Sequence, residues 1–530
     1  MSAEPSNRLV TDRLLRSWLR CRRRAWLDRH GDPGQRIWSA HRALQLDHQQ
    51  RCFVSLLEQQ PLAGEAACAD GAPAVVGVRL RGRGPAGLEL EAHPPLLRRS
   101  SGESRWGAYA YQPVMARQGR RLTREHRLVM GLWGQLLSGW QQGPVSHGLV
   151  VATGSGRLER ERLVLGDGLL RQLNEALPRV AADLERSQPP ALVSDRKKCV
   201  LCSWRGLCDQ EAAVQGHLSE VSGIGAKRRE LLIELGLSQL GALAAANPEV
   251  LADALEVHGE QHREVAARLV AQARVQQRGE PLRLPVEPGQ AATALPELAT
   301  ASGMLVYDIE SDPDARDDFL HGFLRIERDA AGRWPAGLAT DIGCYRPLLA
   351  LQEHGEARLW QRLRRLLAAT PPDWPLLHYG ETESIALVRL AQRQGASERE
   401  LAALRRRLVD LHQRLRQHWL LPVNSYGLKA VAGWLGFAWS QKGVDGARCL
   451  LWWRQWRGDG TPAGRGSLHG LRRIFRYNHD DGLATWAVAR WLLDQDAALP
   501  APTGGATTPM GSEISRVIPS PASSSGSASA

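Results

Sequence analysis

The sequence predicts a soluble α/β protein of several domains, and three observations lead there. At 530 residues the chain exceeds what one hydrophobic core organises, and a prior of ~150 residues per domain gives three or four. Apolar β-type runs alternate with helix-period stretches in two separate blocks, the pattern of α/β architecture. Composition is 43% hydrophobic and 23% charged, enough apolar material for packed cores and too much for a wholly disordered chain. There is no window of ~18 apolar residues and no apolar core near the N-terminus, so a cytoplasmic protein without a membrane span is expected. Lys and Arg number 68 against 56 acids, a formal charge of +12 that favours a polyanionic partner, although an arginine-rich chain can also reflect a GC-rich gene.

Residues 1–30 read as one basic amphipathic helix. Leu14, Leu15, Trp18, Leu19 and Trp26 recur at helical spacing, and seven arginines stand between Arg13 and Arg29 against Asp12 and Asp28. Residues 75–117 hold β-type runs at 75–80, 88–92 and 108–116, and helices are expected over 123–141 and 168–187. This first block, 1–212, closes on a cysteine cluster. A helical region follows over 213–277, then a Pro/Glu/Ala-rich linker over 278–300. The second α/β block, 301–498, has β-type runs at 305–310, 322–326 and 374–379 with helices between and after. Residues 499–530 are rich in Ser, Pro, Gly, Ala and Thr and are expected to be disordered.

Cys199, Cys202 and Cys208 form a C-x2-C-x5-C cluster. In a reducing compartment such spacing reads as ligation rather than disulfide bonding, and three thiolates leave a fourth position open on one metal centre. Cys21, within the arginine-rich helix, is the candidate for it; free cysteines or a lone zinc knuckle are the plainer alternatives. Cys52, Cys68, Cys344 and Cys449 lack ligand spacing and are expected in cores.

Asp308 and Glu310, in LVYDIES at 305–311, stand at i and i+2, so in a strand both side chains fall on one face. Far downstream Tyr477 and Asp481 stand in YNHDD, which runs into a helical stretch. Glu383, in LHYGETE at 377–383, follows a β-type run and opens a helix. Two acids on a strand and one on a late helix are what a phosphodiester-cleaving centre needs to hold two Mg²⁺ or Mn²⁺ ions ~3.5–4 Å apart. Each acid also has an ordinary alternative as a solvated strand end or a chance spacing. Glu381 and Asp480 compete for the same roles, and Asp410 is a possible supporting acid.

In SGIGAK at 222–227, Gly223 and Gly225 would let backbone approach a phosphate at the start of the next helix, with Lys227 nearby. A plain packing hairpin is the alternative. Trp452, Trp453 and Trp456 alternate with Arg454 and Arg457, a set that could stack on bases, although helix-face packing accounts for at least two of them.

These residues carry resemblances. One early cysteine and three late ones around an α/β block resemble the iron–sulfur RecB/AddB-type nucleases, which implies a PD-(D/E)XK-like domain tied by a [4Fe–4S] cluster on Cys21, Cys199, Cys202 and Cys208; Zn²⁺ is the alternative. That group's acid motif fits poorly. Pro95 stands where an Asp is expected, and Met115 and Arg117 replace the acid and lysine, so the block is read as a nucleic-acid-binding module. Glu89 and Glu91 are acids outside the pattern. The 222–227 segment resembles a helix-hairpin-helix. Residues 303–498 resemble the DEDDy group of RNase H-like exonucleases, with a mixed-sheet α/β fold. That resemblance implies Asp308, Glu310, Glu383 and Asp481 as ligands, Tyr477 orienting the attacking water, and 3′→5′ cleavage of DNA or RNA. The whole arrangement is similar to the RecB-like nuclease family. No phosphate-binding Gly-x-x-x-x-Gly-Lys-[Ser/Thr] loop occurs, so unwinding would need a helicase partner in trans. The rival expectations are a non-catalytic repair or adaptation factor, and cleavage by the N-terminal block.

Overall fold

The computed structural model describes residues 8–119, 121–154, 157–193, 196–458 and 468–498. The tail expected at 499–530 and the first seven residues lie outside them.

The stretch expected as one helix over 1–30 is two. Thr11 caps the first, Asp12–Arg20, by accepting from the Leu14 N–H at 3.2 Å. Cys21 is extended, at φ −164° and ψ 119°, and the second helix, Arg22–His30, starts after it with the Cys21 sulfur accepting from the Arg24 N–H. A one-residue break hardly disturbs apolar spacing, which is why periodicity reads straight through it. The arginines here are largely paired: Arg20 with Glu125, Arg22 with Asp183 and Arg23 with Glu211.

Around these helices stands a six-stranded sheet in the order Leu62–Ala63, Ala74–Val76, Leu96–Ser100, Ala110–Ala116, His147–Gly154, Arg157–Val164. A smaller sheet joins Leu9–Thr11, Glu89–Ala92 and Leu80–Arg83. Helices Arg124–Gln141 and Asp167–Leu184 bury Leu132, Trp133, Leu173 and Leu177 in the same core. Five helices between Ala226 and Arg278 pack around Leu231, Leu232, Leu255 and Val270. Within 278–300, Leu282–Arg283 pairs antiparallel with Trp419–Leu420, and Leu298 is fully buried.

The second large sheet has five strands in the order Cys344–Leu349, Asp317–Glu327, Gly303–Asp312, Leu376–His378, Leu408–Asp410. The first three are antiparallel neighbours and the last two join in parallel, a mixed sheet. Alternation sorts the central strand. Leu305 and Tyr307 pack with Leu363, Leu387 and Leu404 of one helical layer. Met304 and Val306 pack with Leu483, Trp486 and Val488 of the 30-residue helix Leu468–Ala497. By the same period, Asp308 and Glu310 fall on the side of that last helix.

Two expectations about side chains are settled here. Cys52, Cys68 and Cys449 are buried, but Cys344 is exposed, because it opens an edge strand. Trp453 and Trp456 are buried beside Phe319, which stacks on Trp453 at 4.5 Å, while half-buried Trp452 lies under Arg473.

Candidate active site

Asp308, Glu310 and Asp481 each bring a carboxylate oxygen within 4.8 Å of the others. Among the described residues this is the one group of three or more potential ligands so close together. The strand delivers the first two and the last helix the third, across a contact that the sequence prepares. Gly322 pairs with Asp308 on the neighbouring strand, and a Cβ there would overlap the Asn478 amide. With no side chain in the way, Asn478 Nδ2 donates to Asp308 Oδ2 at 2.5 Å, while the Tyr345 hydroxyl donates to Asn478 Oδ1 at 2.8 Å. Trp439 Nε1 donates to Asp481 Oδ1 at 2.6 Å. Lys429 Nζ stands 5.0 Å from the centroid of the Tyr477 ring and donates to the Val444 carbonyl.

Charge crowding dominates the electrostatics. Burial holds the Asp308 carboxyl well above the usual carboxylate range, and Asp481, Glu310 and Glu383 push it further. Glu310 is raised by burial and by Asp481, against the pull of Lys429 and a hydrogen bond from Asn478. Burial pushes Asp481 up to about 6 although Trp439, Lys429 and Tyr477 all favour its ionised form. The Tyr477 phenol, four residues before Asp481 on the helix, is raised by burial and then by Asp481 and Glu310.

Glu383 lies in the first turn of helix Glu381–Arg393 and is pushed up to about 7 by burial, with Asp410 and Asp481 adding. It stands outside the 4.8 Å cluster, and its buried Oε2 has no hydrogen-bond partner. Its competitors are placed otherwise. Glu381 is exposed, and Asp480 accepts from the Ser440 N–H and hydroxyl. Asp410 accepts from the backbone of Gly380, His412 and Gln413, a helix cap rather than a ready ligand. Buried carboxylates that repel one another, with an orphaned oxygen beside them, fit a hard divalent cation bound through oxygen.

Among its described residues the N-terminal block offers no such centre. Pro95 directly precedes strand Leu96–Ser100, Met115 is buried, and Arg117 faces Glu159 and Glu161 at 3.4 and 3.7 Å. Glu89 is exposed, and Glu91 is bound by Arg79 and Arg81 at 2.5 and 3.1 Å.

Cys21, Cys199, Cys202 and Cys208 are within electrostatic reach of one another but do not form a group of ligand atoms within 4.8 Å. Trp204 Nε1 donates to Asp28 at 3.0 Å and Arg23 pairs with Glu211, which draws helix Arg22–His30 onto helix Arg205–Gln215. Burial pushes the Cys199 thiol up to about 11, with Cys202, Cys21 and Cys208 adding to the rise, and it raises Cys21 and Cys208 as well. In the 222–227 loop, exposed Gly223 has φ +90°, a conformation that favours glycine. Gly225 precedes helix Ala226–Glu234 with open space where a Cβ would stand, and Lys227 is exposed on its first turn.

Asn478, Lys429, Trp439 and Tyr345 were not singled out from sequence. Only Asn478 carried a signal, since it stands between Tyr477 and Asp481 in the motif itself.

Residues 305–493 match the family model described as RNase_H superfamily, which supports an RNase H-like nuclease domain there. A solved structure titled "Crystal structure of SSO0001" aligns at 13% identity over 39% of this chain and 89% of that one, with a TM-score of 0.24, too slight a likeness to carry an argument. No curated protein matches the chain. No helix among the described residues is long and apolar enough to cross a membrane.

Proposed function

We propose that the chain is a metal-dependent nuclease that cleaves DNA or RNA through Asp308, Glu310, Asp481 and Glu383. The observation that carries this reading is the convergence of three carboxylates within 4.8 Å, two of them buried, with Lys429 as their nearby cation. Asp308, Glu310 and Asp481, with Glu383, would hold the divalent ions. When bound, two such ions supply a water of lowered pKa and a Lewis acid for the leaving oxygen. Asn478 fixes the rotamer of Asp308, Trp439 that of Asp481, and Tyr477 orients the attacking water. The DEDDy resemblance adds 3′→5′ polarity.

In the same reading the N-terminal block grips nucleic acid and takes no part in cleavage. Cys21, Cys199, Cys202 and Cys208 tie its two ends through a [4Fe–4S] cluster or Zn²⁺. Their mutual electrostatic reach supports a shared centre, since a bound cation would relieve the crowding of four thiols. Gly223, Gly225 and Lys227 contact the phosphate backbone, and a helicase acts in trans where duplex must be opened.

The test is a Mg²⁺-dependent assay on 3′-tailed DNA and RNA with Asp308→Ala and Cys199→Ala. The first change abolishes cleavage and leaves binding intact; the second lowers stability and binding. Cleavage that survives Asp308→Ala moves the reaction to the N-terminal block, and a native chain that binds but never cleaves is a non-catalytic factor. Visible absorption of anaerobically purified protein separates iron–sulfur from zinc.

A further inference from the structure

Two cavities share a wall between the second sheet and the helical region, and the lining of one includes Glu381, two residues from Glu383. The larger, about 1420 Å³, opens where strands Leu376–His378 and Leu408–Asp410 end and has Gly380 and Glu381 in its lining. The smaller, about 660 Å³, lies between the 222–226 loop and the segment at 424–427. Arg268, His412 and Arg416 line both, so the two form one continuous trough.

The charges in this trough are unequal. Arg268 and Arg416 are exposed, and Arg268 Nη2 donates to the Arg416 backbone carbonyl at 2.8 Å, which holds one guanidinium without neutralising it. Neither has a carboxylate partner among the described residues. Arg389 and Arg405 add two more exposed cations to the larger cavity. Of the three acids facing it, Asp410 is already engaged by three backbone N–H groups, and exposed Glu287 and Glu381 are outnumbered by the four arginines. At one end stands the 222–226 loop with the first-turn N–H groups of helix Ala226–Glu234. At the other, Glu381 is two residues from Glu383, which lies within electrostatic reach of both Asp410 and Asp481.

We propose that this trough is the path of the substrate strand: one polynucleotide chain runs from the Gly223–Lys227 loop past Arg268 and Arg416 to the carboxylates, held by its phosphates. The proposal rests on the nuclease reading above and specifies how the substrate reaches that site. Glu310 and Asp481 are 6% and 8% exposed, so a flexible single strand reaches them where a rigid duplex does not. Arginines on phosphates hold any sequence, so the trough gives grip and direction rather than base preference. DNA and RNA share that backbone chemistry.

The experiment uses the full chain carrying Asp308→Asn, so that binding is read without cleavage. Fluorescence anisotropy follows labelled oligothymidine and oligouridine of about 20 nucleotides, longer than the ~4–16 that a single-strand groove holds. Titrations span ~50 to ~200 mM salt. Adding Arg268→Glu and Arg416→Glu is expected to weaken binding roughly tenfold and to lower the salt slope by about 1.4, ~0.7 for each lost phosphate contact. Adding Arg389→Glu and Arg405→Glu should act in the same direction, and the same charge change at exposed Arg358 and Arg399, which line neither cavity, should have little effect. The relative affinity for the two oligonucleotides identifies the preferred sugar. Equal weakening by all three pairs, or unchanged binding in both trough pairs despite native melting curves, overturns the proposal. Cleavage by the chain with Asp308 restored is scored separately. Trough-dependent binding without cleavage refutes the nuclease and keeps the strand path, whereas cleavage with trough-independent binding does the reverse.

Discussion

The small N-terminal sheet and the five-stranded sheet treat their acids in opposite ways. Burial pushes Glu91 up, on the three-stranded sheet, but hydrogen bonds from Arg79 and Arg81 outweigh it and hold the carboxylate below its usual range. On the five-stranded sheet, Asp308, Glu310 and Asp481 have an amide, an indole, a phenol and one lysine as their polar neighbours, and all three are raised. Acids of both sheets are buried, so burial does not separate them. What separates them is compensation: a carboxylate that already has two guanidinium partners has little left for a cation, and a set without them is built to receive one.

The largest effect that sharpens this contrast is on cleavage. Glu310→Gln keeps the shape of the side chain and removes one charge. It should reduce Mg²⁺-dependent cleavage by more than the ~100-fold that loss of an outer partner costs. A variant within tenfold of native in a single-turnover assay would break the comparison. Asn478→Ala comes next, at ~10- to 100-fold, because it frees the Asp308 rotamer without removing a ligand. Gly322→Ala should match it, since its Cβ displaces the same amide.

Stability gives a smaller signal, opposite in sign to that of an ordinary paired acid. A carboxyl whose folded pKa lies above its unfolded one binds more protons when folded, so stability falls as pH rises across the gap. For Asp481 the gap runs from 3.8 to about 6 and for Glu383 from 4.5 to about 7. Metal-free protein should therefore lose stability between about pH 4 and 7, and Mg²⁺ should raise the melting temperature more at the upper end of that range. Scanning fluorimetry with and without Mg²⁺ measures both trends, and a Mg²⁺ effect independent of pH would count against these acids as ligands. The smallest effect belongs to the other sheet: Glu91→Gln should leave cleavage unchanged and cost at most ~1 kcal/mol of stability, read by urea denaturation.

Much of the second sheet was legible because its signals are local. Alternation in 305–310 fixes a strand and its faces, and the acid spacing then places both carboxylates on one side. The same reasoning shortened the neighbouring strand, expected at 322–326 and found as Asp317–Glu327, because polar residues at its start mask the period. The roles of Lys429 and Trp439 were not legible, since nothing in a sequence shows which segments fold against a helix some forty residues later. Gly322 illustrates the same limit: its lack of a side chain has meaning only opposite Asn478. At the N-terminus the failure was of another kind, as apolar spacing cannot register a single extended residue at Cys21.

That break at Cys21 also bears on how the chain is made. Both short helices flanking it dock on partners far along the chain: Trp18 on Asp183, Asp28 on Trp204, Arg23 on Glu211. At ribosomal rates of ~5–20 residues per second, they wait roughly ten to forty seconds before those partners are synthesised. Until helix Asp167–Leu184 is made, the core that Leu15 and Trp18 share with Leu90 and Trp133 stays open on one side, so the nascent segment is a natural client for chaperones that bind short apolar stretches.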